Sequence, residues 1–400
     1  MRLLVLSSAV AATAVTGGLL SAAPASGVAP EPVEVRPERT ISVPAAGPVH
    51  LSAAGRSYTL DFQGRAIVVY GAKARGKARP LYRIRGSRSG IFWPMGIARD
   101  AGGRLYVANG NQRVLVFSAS ARGNARPIRV LRTGMYIGAG IAVRGERLMV
   151  SGGAGIAIYR RTASGDAAPL RRIAGEKAQL RGLLDADMNV DGRIWAVFGE
   201  GAFATVFAPG ARGDVAPERT ITQDRPLWDV ESVGFDRAGR AYIGQHDGEV
   251  TVLRHDAKGQ ATPVLSLART PLGGIGGLSV SRTGKLAVTS GSSITVYPRL
   301  LAATRPWAVR SVTVSGSPAA VRRVVRWKKP LADGGAPLTR YRVSVRHGSR
   351  LVTTAVLKAS RRSYVLERRS LPAGTSTVVV RAKNRKGYGP AVRVTLTVRK

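Results

Sequence analysis

Short apolar runs that end in an aromatic residue or leucine recur along this chain: "IVVY" (67–70), "VLVF" (114–117), "IAIY" (156–159), "ATVF" (204–207), "VTVL" (250–253) and "ITVY" (294–297). Their last residues are spaced by 47, 42, 48, 46 and 44 positions. After each of the first five runs comes a turn with glycine and then proline four residues on: Gly76/Pro80, Gly123/Pro127, Gly165/Pro169, Gly213/Pro217 and Gly259/Pro263. Beyond the proline lies a short Arg-bearing stretch such as "PIRVL" or "PERTI". Upstream of most runs stand "GIARDAGGRLYVA", "ADMNVDGRIWAV", "VGFDRAGRAYIG" and "GLSVSRTGKLAV", each with two apolar stretches around a Gly-Arg or Gly-Lys turn. The apolar spacing in "RLYVA" and "RIWAV" is that of strands, and no comparable stretch carries a helical period.

One unit therefore reads as four short strands in forty-odd residues, which is the unit of a β-propeller blade. Six units supply the third strand but only five supply the fourth, because "ITVY" is followed by "PRLLAATRPW". A spare fourth strand lies at the other end of the chain, in "PERTI" at 37–41, which repeats "PERTI" at 217–221. The expectation is an all-β chain: a six-bladed β-propeller closed by an N-terminal outer strand, followed by a β-sandwich; the competing reading is an open solenoid or a seventh, degenerate blade. The fourth strands are expected to be edges, where proline's missing N–H costs little and arginine deters unwanted pairing.

Units such as "GIARDAGGRLYVANGNQRVLVF" followed by "APGARGDVAPERTI" resemble the NHL-type propeller repeats of exported bacterial proteins. The resemblance covers 37–298 and is weaker in the first unit ("HLSAAGRSYTLDF") and the third ("GIAVRGERLMV"). It implies the propeller fold and a mixed set of functions, from binding platforms to lactonases and lyases. Past residue 306, "WAVRSVTVSG", "VVRWKKPLADGGAPLTRYRVSV" and "VVVRAKNRKGYGP" resemble a fibronectin type III domain. Trp327 with Pro330, Gly334–Gly335, Tyr341 and Asn384-x-x-Gly387-x-Gly389-Pro390 carry that likeness. Seven alternating runs fit a β-sandwich. One departure is "STVVV" after "LPAGT", where that family usually has a tyrosine. Trp327 and Tyr341 are expected in the core.

The first residues change the picture of location. "MRLLVLSSAVAATAVTGGLLSAAPASG" has an early cation, an apolar run diluted by Ser, Thr and Gly, and Ala-Pro-Ala at 23–25, the layout of a secretory signal peptide. The expected organisation is a signal peptide at 1–25, a linker at 26–36, the propeller at 37–298, a linker at 299–305 and the sandwich-like domain at 306–400. The chain is then secreted, with retention at the cell wall left open, and no transmembrane segment is expected. It contains no cysteine, so neither disulfides nor lipoprotein anchoring is expected.

Charge narrows the partners. Lys and Arg number 62 against 23 Asp and Glu, a net charge of +39. Residues 306–400 hold 22 of those cations with two acids, Asp333 and Glu367. Such a surface attracts polyanions. In "LTRYRVSVRH" and "VVVRAKN", alternation turns Tyr341, Val343, Val345, Val378, Val380 and Ala382 inward. Arg340, Arg342, Arg346, Arg381 and Lys383 then face outward, with Arg393 of "VRVTLTV" on the same sheet. These six form the expected polyanion-binding face, because ordinary solvated faces interleave both signs.

Cofactor and metal-spaced motifs are absent from the sequence, and no cofactor is expected. "DADMNVDG" (185–192) imitates the start of a calcium loop, but the twelfth position, which needs a carboxylate, is Phe198. Asn189 aligns instead with Asp100 and Asp236, in turns that such side chains cap. Loops at the end where the first strands begin hold Trp93, Asn109, Asn111, Glu200 and Trp228. Asp229, Glu231, His246 and Asp247, in one unit, make the candidate ligand site at the channel mouth. Two functions follow. The favoured one is an exported, non-enzymatic interaction protein, expected as a monomer. Its propeller platform would be tethered by the basic domain to an anionic cell-wall polymer or polysaccharide, or to another surface protein, without specific nucleic-acid binding. The alternative is a lactonase- or lyase-type enzyme with a divalent metal at the mouth and His246 as base.

Overall fold

The computed structural model describes residues 31–44, 46–199, 204–222, 230–268 and 274–399. Their regular structure is strand, apart from two short 3-10 turns, Ser87–Ser89 and Arg368–Ser370. No helix among them is long and apolar enough to cross a membrane. The chain divides into two compact units. One runs to Gly234 and resumes at Ala241–Leu301; the other holds Phe235–Arg240 together with the chain from Ala302 on.

In the first unit the repeat becomes a series of antiparallel sheets. Sheet 1 is Val49–Leu51, Ser57–Asp61, Ala66–Tyr70 and Tyr82–Ile84; sheet 2 is Pro94–Arg99, Leu105–Asn109, Arg113–Phe117 and Arg129–Arg132. Sheet 3 is Ile141–Arg144, Arg147–Gly152, Gly155–Arg160 and Arg171–Ile173. Sheet 4 is Leu183–Met188, Ile194–Phe198, Ala204–Phe207 and Arg219–Thr222, and sheet 5 is Val230–Phe235, Ala241–Gln245, Val250–Leu253 and Leu265–Leu267. Sheet 6 is Ile275–Val280, Lys285–Ser290 and Ser293–Arg299, and its fourth strand is Arg39–Ser42. That strand pairs antiparallel with Ser293–Arg299, Ile41 opposite Ile294, as the repeated "PERTI" requires.

Sheets of consecutive units pack face to face. Met149, Ile156 and Ile158 of sheet 3 share a core with Met188, Ile194 and Ala196 of sheet 4. Ile41, Ile294 and Val296 of sheet 6 share one with Leu51, Ala66 and Val68 of sheet 1. A middle strand is thereby covered on both faces, which is why every residue of Ile194–Phe198 is buried. Full burial on two sides removes the polar alternation that a one-sided sheet would show.

The recurring spacing from glycine to strand has a specific use. Gly123 lies parallel to Ile84, accepting from Arg85 N at 2.9 Å and donating to Arg83 O at 2.7 Å. The same bridge joins Ile41 to Gly76, Leu131 to Gly165, Ile173 to Gly213 and Ile221 to Gly259. Each couples the fourth strand of one sheet to the turn of the next unit. These glycines have φ between 53° and 70°, and a Cβ on any of them would touch nothing within 4 Å. Their requirement is therefore the left-handed backbone, not lack of room. The remaining fourth strand, Leu265–Leu267, is met by Val33, so the N-terminal segment contributes a bridging residue as well as a strand.

The fourth strands thus end their sheets, as expected, but each is bridged by a neighbouring segment, and arginines at those points are engaged rather than free. Arg39 is 5% exposed and donates to Gly55 O, Gly71 O and Ser57 Oγ in the unit after it. Arg219 donates to His255 O and Ala257 O, and Arg129 to Arg161 O. Burial lowers the pKa of Arg39 and Arg219 from the ordinary guanidinium value. In sheet 1 the equivalent residue is Tyr82, and there the cation comes from the other side, with Arg122 stacked 3.4 Å from the ring centroid. The aliphatic stems pack while the heads satisfy turn carbonyls, so these arginines bind successive units together.

The second unit has two sheets. One is Arg310–Ser315, Arg322–Lys328 and Ser363–Glu367. The other is Arg350–Lys358, Arg340–His347 and Gly374–Asn384, with Gly387–Tyr388 and Val392–Val398 both paired to Gly374–Asn384. Strict alternation puts Tyr341, Val343, Val345, Val378 and Val380 between the sheets. Trp327 joins them, its ring centroid 5.4 Å from that of Tyr341.

Candidate functional site

The cation-bearing strands of the second unit are neighbours, and their register sets the site. Arg340 pairs with Lys383 and Arg342 with Arg381, so like charges stand directly opposite each other. Such pairs are destabilising on their own. What holds them is Tyr388, which pairs with Lys383 across the short return strand. Its ring centroid lies 4.2 Å from Arg342 Cζ, 5.2 Å from Lys383 Nζ and 5.7 Å from Arg381 Cζ. Arg381 Nε also donates to Gly389 O at 2.9 Å, which fixes that guanidinium beside the ring. Three cations thus share the negative face of one aromatic ring.

Sequence reasoning placed Arg340, Arg342, Arg381 and Lys383 on one face and missed Tyr388. A signal is present, an aromatic residue between Gly387 and Gly389 just after the cationic strand, but a family turn accounts for it equally well. Lys358, opposite Arg340 on the other side, was missed as well. Arg346 lies at the far end of its strand and turns back to donate to Ser349 O, while Arg393 sits one strand away, opposite Val379. Neither acid of this region neutralises the face. Asp333 caps Gly335 N in its own loop, and Glu367 pairs with Arg322 on the other sheet.

In the first unit, the structure brings Glu231 and His246 together, Nδ1 3.1 Å from Oε1. The carboxylate of Asp247 accepts Glu249 N and caps the hairpin beside them. Asp229, Glu200 and Trp228 lie outside the described residues. The calcium-like stretch scatters its side chains: Asp187 pairs with Arg144, Asp191 with Arg193, and Asn189 accepts Val190 N. Asp100 and Asp236 accept the amides of Arg104 and Arg240 in the corresponding turns.

Deeper along the first strands lie two half-buried titratable groups that sequence reasoning did not single out. Burial beside Arg99 and Arg144 pushes His50 down to about 3. Burial pushes Asp185 up to about 6, with Asp187 adding to the effect. Asp185 Oδ2 accepts Ser232 Oγ and Val233 N, both at 3.0 Å, and so ties the first strand of sheet 4 to that of sheet 5.

No family model matches the chain, and no curated protein matches it. Among solved structures, the WD40 β-propeller domain of Doa1 is similar at 8% identity and TM-score 0.46, covering 66% of this chain and 97% of that one. The extracellular domain of BT3049 from B. thetaiotaomicron is similar at 12% identity and TM-score 0.42, over 88% of this chain. That of BT4673 from the same organism is similar at 10% identity and TM-score 0.44, over 89% of this chain. The chain spans only 55% and 57% of the length of those two bacterial chains.

Proposed function

We propose that this is an exported interaction protein with a propeller platform and a cationic sandwich that holds an anionic polymer. The observation that carries the reading is the gathering of Arg342, Arg381 and Lys383 around Tyr388, with no acid opposite them. Like-charged pairs that cost stability are retained where an incoming anion neutralises them. In this reading the six sheets form a closed NHL-like ring. The bridges from Ile41 to Gly76 and from Leu267 to Val33 support it, since both use the N-terminal segment. The second unit is read as a fibronectin type III-like domain, and the polymer as an acidic wall or surface polysaccharide.

Retention of the full chain on heparin across a salt gradient tests this. Changing Arg342, Arg381 and Lys383 to Ser should lower the elution salt far more than changing Arg79, Arg126 and Arg212, exposed arginines of the first unit. Because counterion release drives such binding, the slope of log affinity against log salt should flatten by about 0.7–0.9 for each anionic group no longer neutralised. Equal shifts from the two triple variants would mean diffuse charge and no site.

The contact between Glu231 and His246 supports a second reading, an enzyme of the lactonase or lyase type that uses a divalent cation there. Stoichiometric metal in the purified protein, absent once Glu231 and His246 are changed to Ala, would favour it over the interaction protein.

A further inference from the structure

We infer that the first unit carries a saccharide-binding rim, formed by Phe92, Trp93 and Tyr136 and specific for uronate-bearing glycans. The inference takes the platform role proposed above, but its site is separate from the face around Tyr388. Phe92, Trp93 and Tyr136 are 44%, 57% and 53% exposed, on the loops that lead into the first strands of sheets 2 and 3. Large aromatics so exposed on neighbouring loops mark a binding surface.

Those loops are built rather than loose. Asn109, fully buried, accepts Phe92 N at 2.8 Å and donates to Gly90 O. Gly110 N reaches Trp93 O at 2.9 Å, and a Cβ on Gly110 would stand 2.9 Å from Trp93 Cβ. The loop bearing Tyr136 begins where Thr133 N donates to Gln112 O. It continues past Gly96, whose missing Cβ leaves room for Ala139 O. A second, independent sign is strain. Arg65, Trp93 and Gln112 have φ of 45°, 50° and 60°, in the left-handed region that a residue as bulky as tryptophan rarely adopts. Backbone outliers of this kind gather where a ligand is held.

Chemistry selects the occupant. The flat C–H face of a pyranose ring carries slight positive charge and suits the negative face of an aromatic ring. Around the rings, Asn111 has its carbonyl oxygen taken by Asn109 Nδ2, leaving its NH2 for a hydroxyl. The cation is Arg65, its guanidinium 4.9 Å over the Phe92 ring. A planar fork held on an aromatic ring is suited to a carboxylate. Stretches 62–65, 86–93, 110–112 and 133–140 contain no acid. Asp61, at the root of the first loop, is occupied by Gly64 N and Arg83. A neutral glycan would leave Arg65 without an anionic partner, whereas a uronate uses both the rings and the charge.

The test uses the full chain carrying Ser at Arg342, Arg381 and Lys383, so that the second unit does not contribute. The probes are a galacturonate oligomer, a neutral oligosaccharide of equal length and oligothymidylate, read by titration calorimetry. In that background, Trp93→Gly should weaken galacturonate binding roughly tenfold, the scale of removing one aromatic platform. Glycine adopts this φ freely, so the melting temperature should hold or rise. Tyr136→Ala should weaken binding as well, and the neutral oligosaccharide should bind less tightly throughout. Within that background, the rim is overturned by galacturonate binding untouched by Trp93→Gly, by equal affinity for the neutral probe, or by tighter Trp93-dependent binding of oligothymidylate. If the triple Ser background alone abolishes galacturonate binding, the rim fails while the cationic face stands. If that background binds as well as the native chain and only Trp93→Gly weakens it, the rim stands and the cationic face fails.

Discussion

Val33 lies parallel to Leu267, donating its N–H to Ser266 O at 2.9 Å and accepting Ala268 N at 3.0 Å. Its distance in sequence to Ile41 equals that from Gly76 to Ile84 and from Gly213 to Ile221. A residue without left-handed backbone thus takes the place that glycine holds in the other units.

Removing 31–42 should therefore expose both the fourth-strand position of sheet 6 and the outer side of Leu265–Leu267. The truncated chain should melt well below the native one and bind a hydrophobic dye. The point variant Ile41→Ala, at a fully buried residue, should cost about 2–5 kcal/mol. Denaturant unfolding checks both, and a native-like midpoint for the truncated chain would contradict the pairing.

Arg219→Ala should leave His255 O and Ala257 O without their donor and destabilise by about 1.5–3 kcal/mol. Arg219→Met, which keeps the stem, should recover part of that stability through packing. Were the arginine only a guard against edge pairing, both variants would unfold like the native protein and differ only in aggregation.

Glycines should separate into two classes under substitution by alanine. Gly123→Ala meets no neighbour and should cost about 1–2 kcal/mol, the penalty of left-handed backbone. Gly96→Ala would drive its Cβ to 2.2 Å from Ala139 O and should displace the 133–140 loop. Hydrogen exchange in that loop distinguishes the two, rising in Gly96→Ala alone.

Stability should respond to pH through two opposed groups. His50 stays neutral in the folded chain down to about 3, whereas unfolded histidine takes a proton below 6.5, so its contribution is lost as pH falls through that interval. Asp185 keeps its proton up to about 6, against 3.8 when unfolded, so its contribution is present at low pH and lost as pH rises through about 6. Each slope is at most about 1.4 kcal/mol per pH unit. Between pH 4 and 6 the two largely cancel. Asp185→Asn, which keeps an acceptor for Val233 N, should leave a chain that loses stability steadily on acidification. His50→Gln should leave one that loses it on going from about pH 4 to pH 6. Melting temperatures across that range read both slopes, and parallel profiles for the two variants would refute the assignment.

The sequence by itself determined the strands, their order and their inward faces. "RIWAV" and "LTRYRVSV" specify pairing and burial through their own spacing, because a strand's side chains alternate wherever it lies. The repeated "PERTI" even indicated a pairing between distant parts of the chain, since a unit missing one strand must find it elsewhere. What Arg39, Tyr388 and Asp185 touch was decided only by tertiary structure. Their partners come from other strands or other units, and nothing in the local pattern says which carbonyl or ring will lie within reach. Arginine on a fourth strand has the same sequence signature whether it faces water or the turn of the next unit. Packing of sheet on sheet makes that choice, because it removes water from the guanidinium and leaves backbone oxygens as its partners.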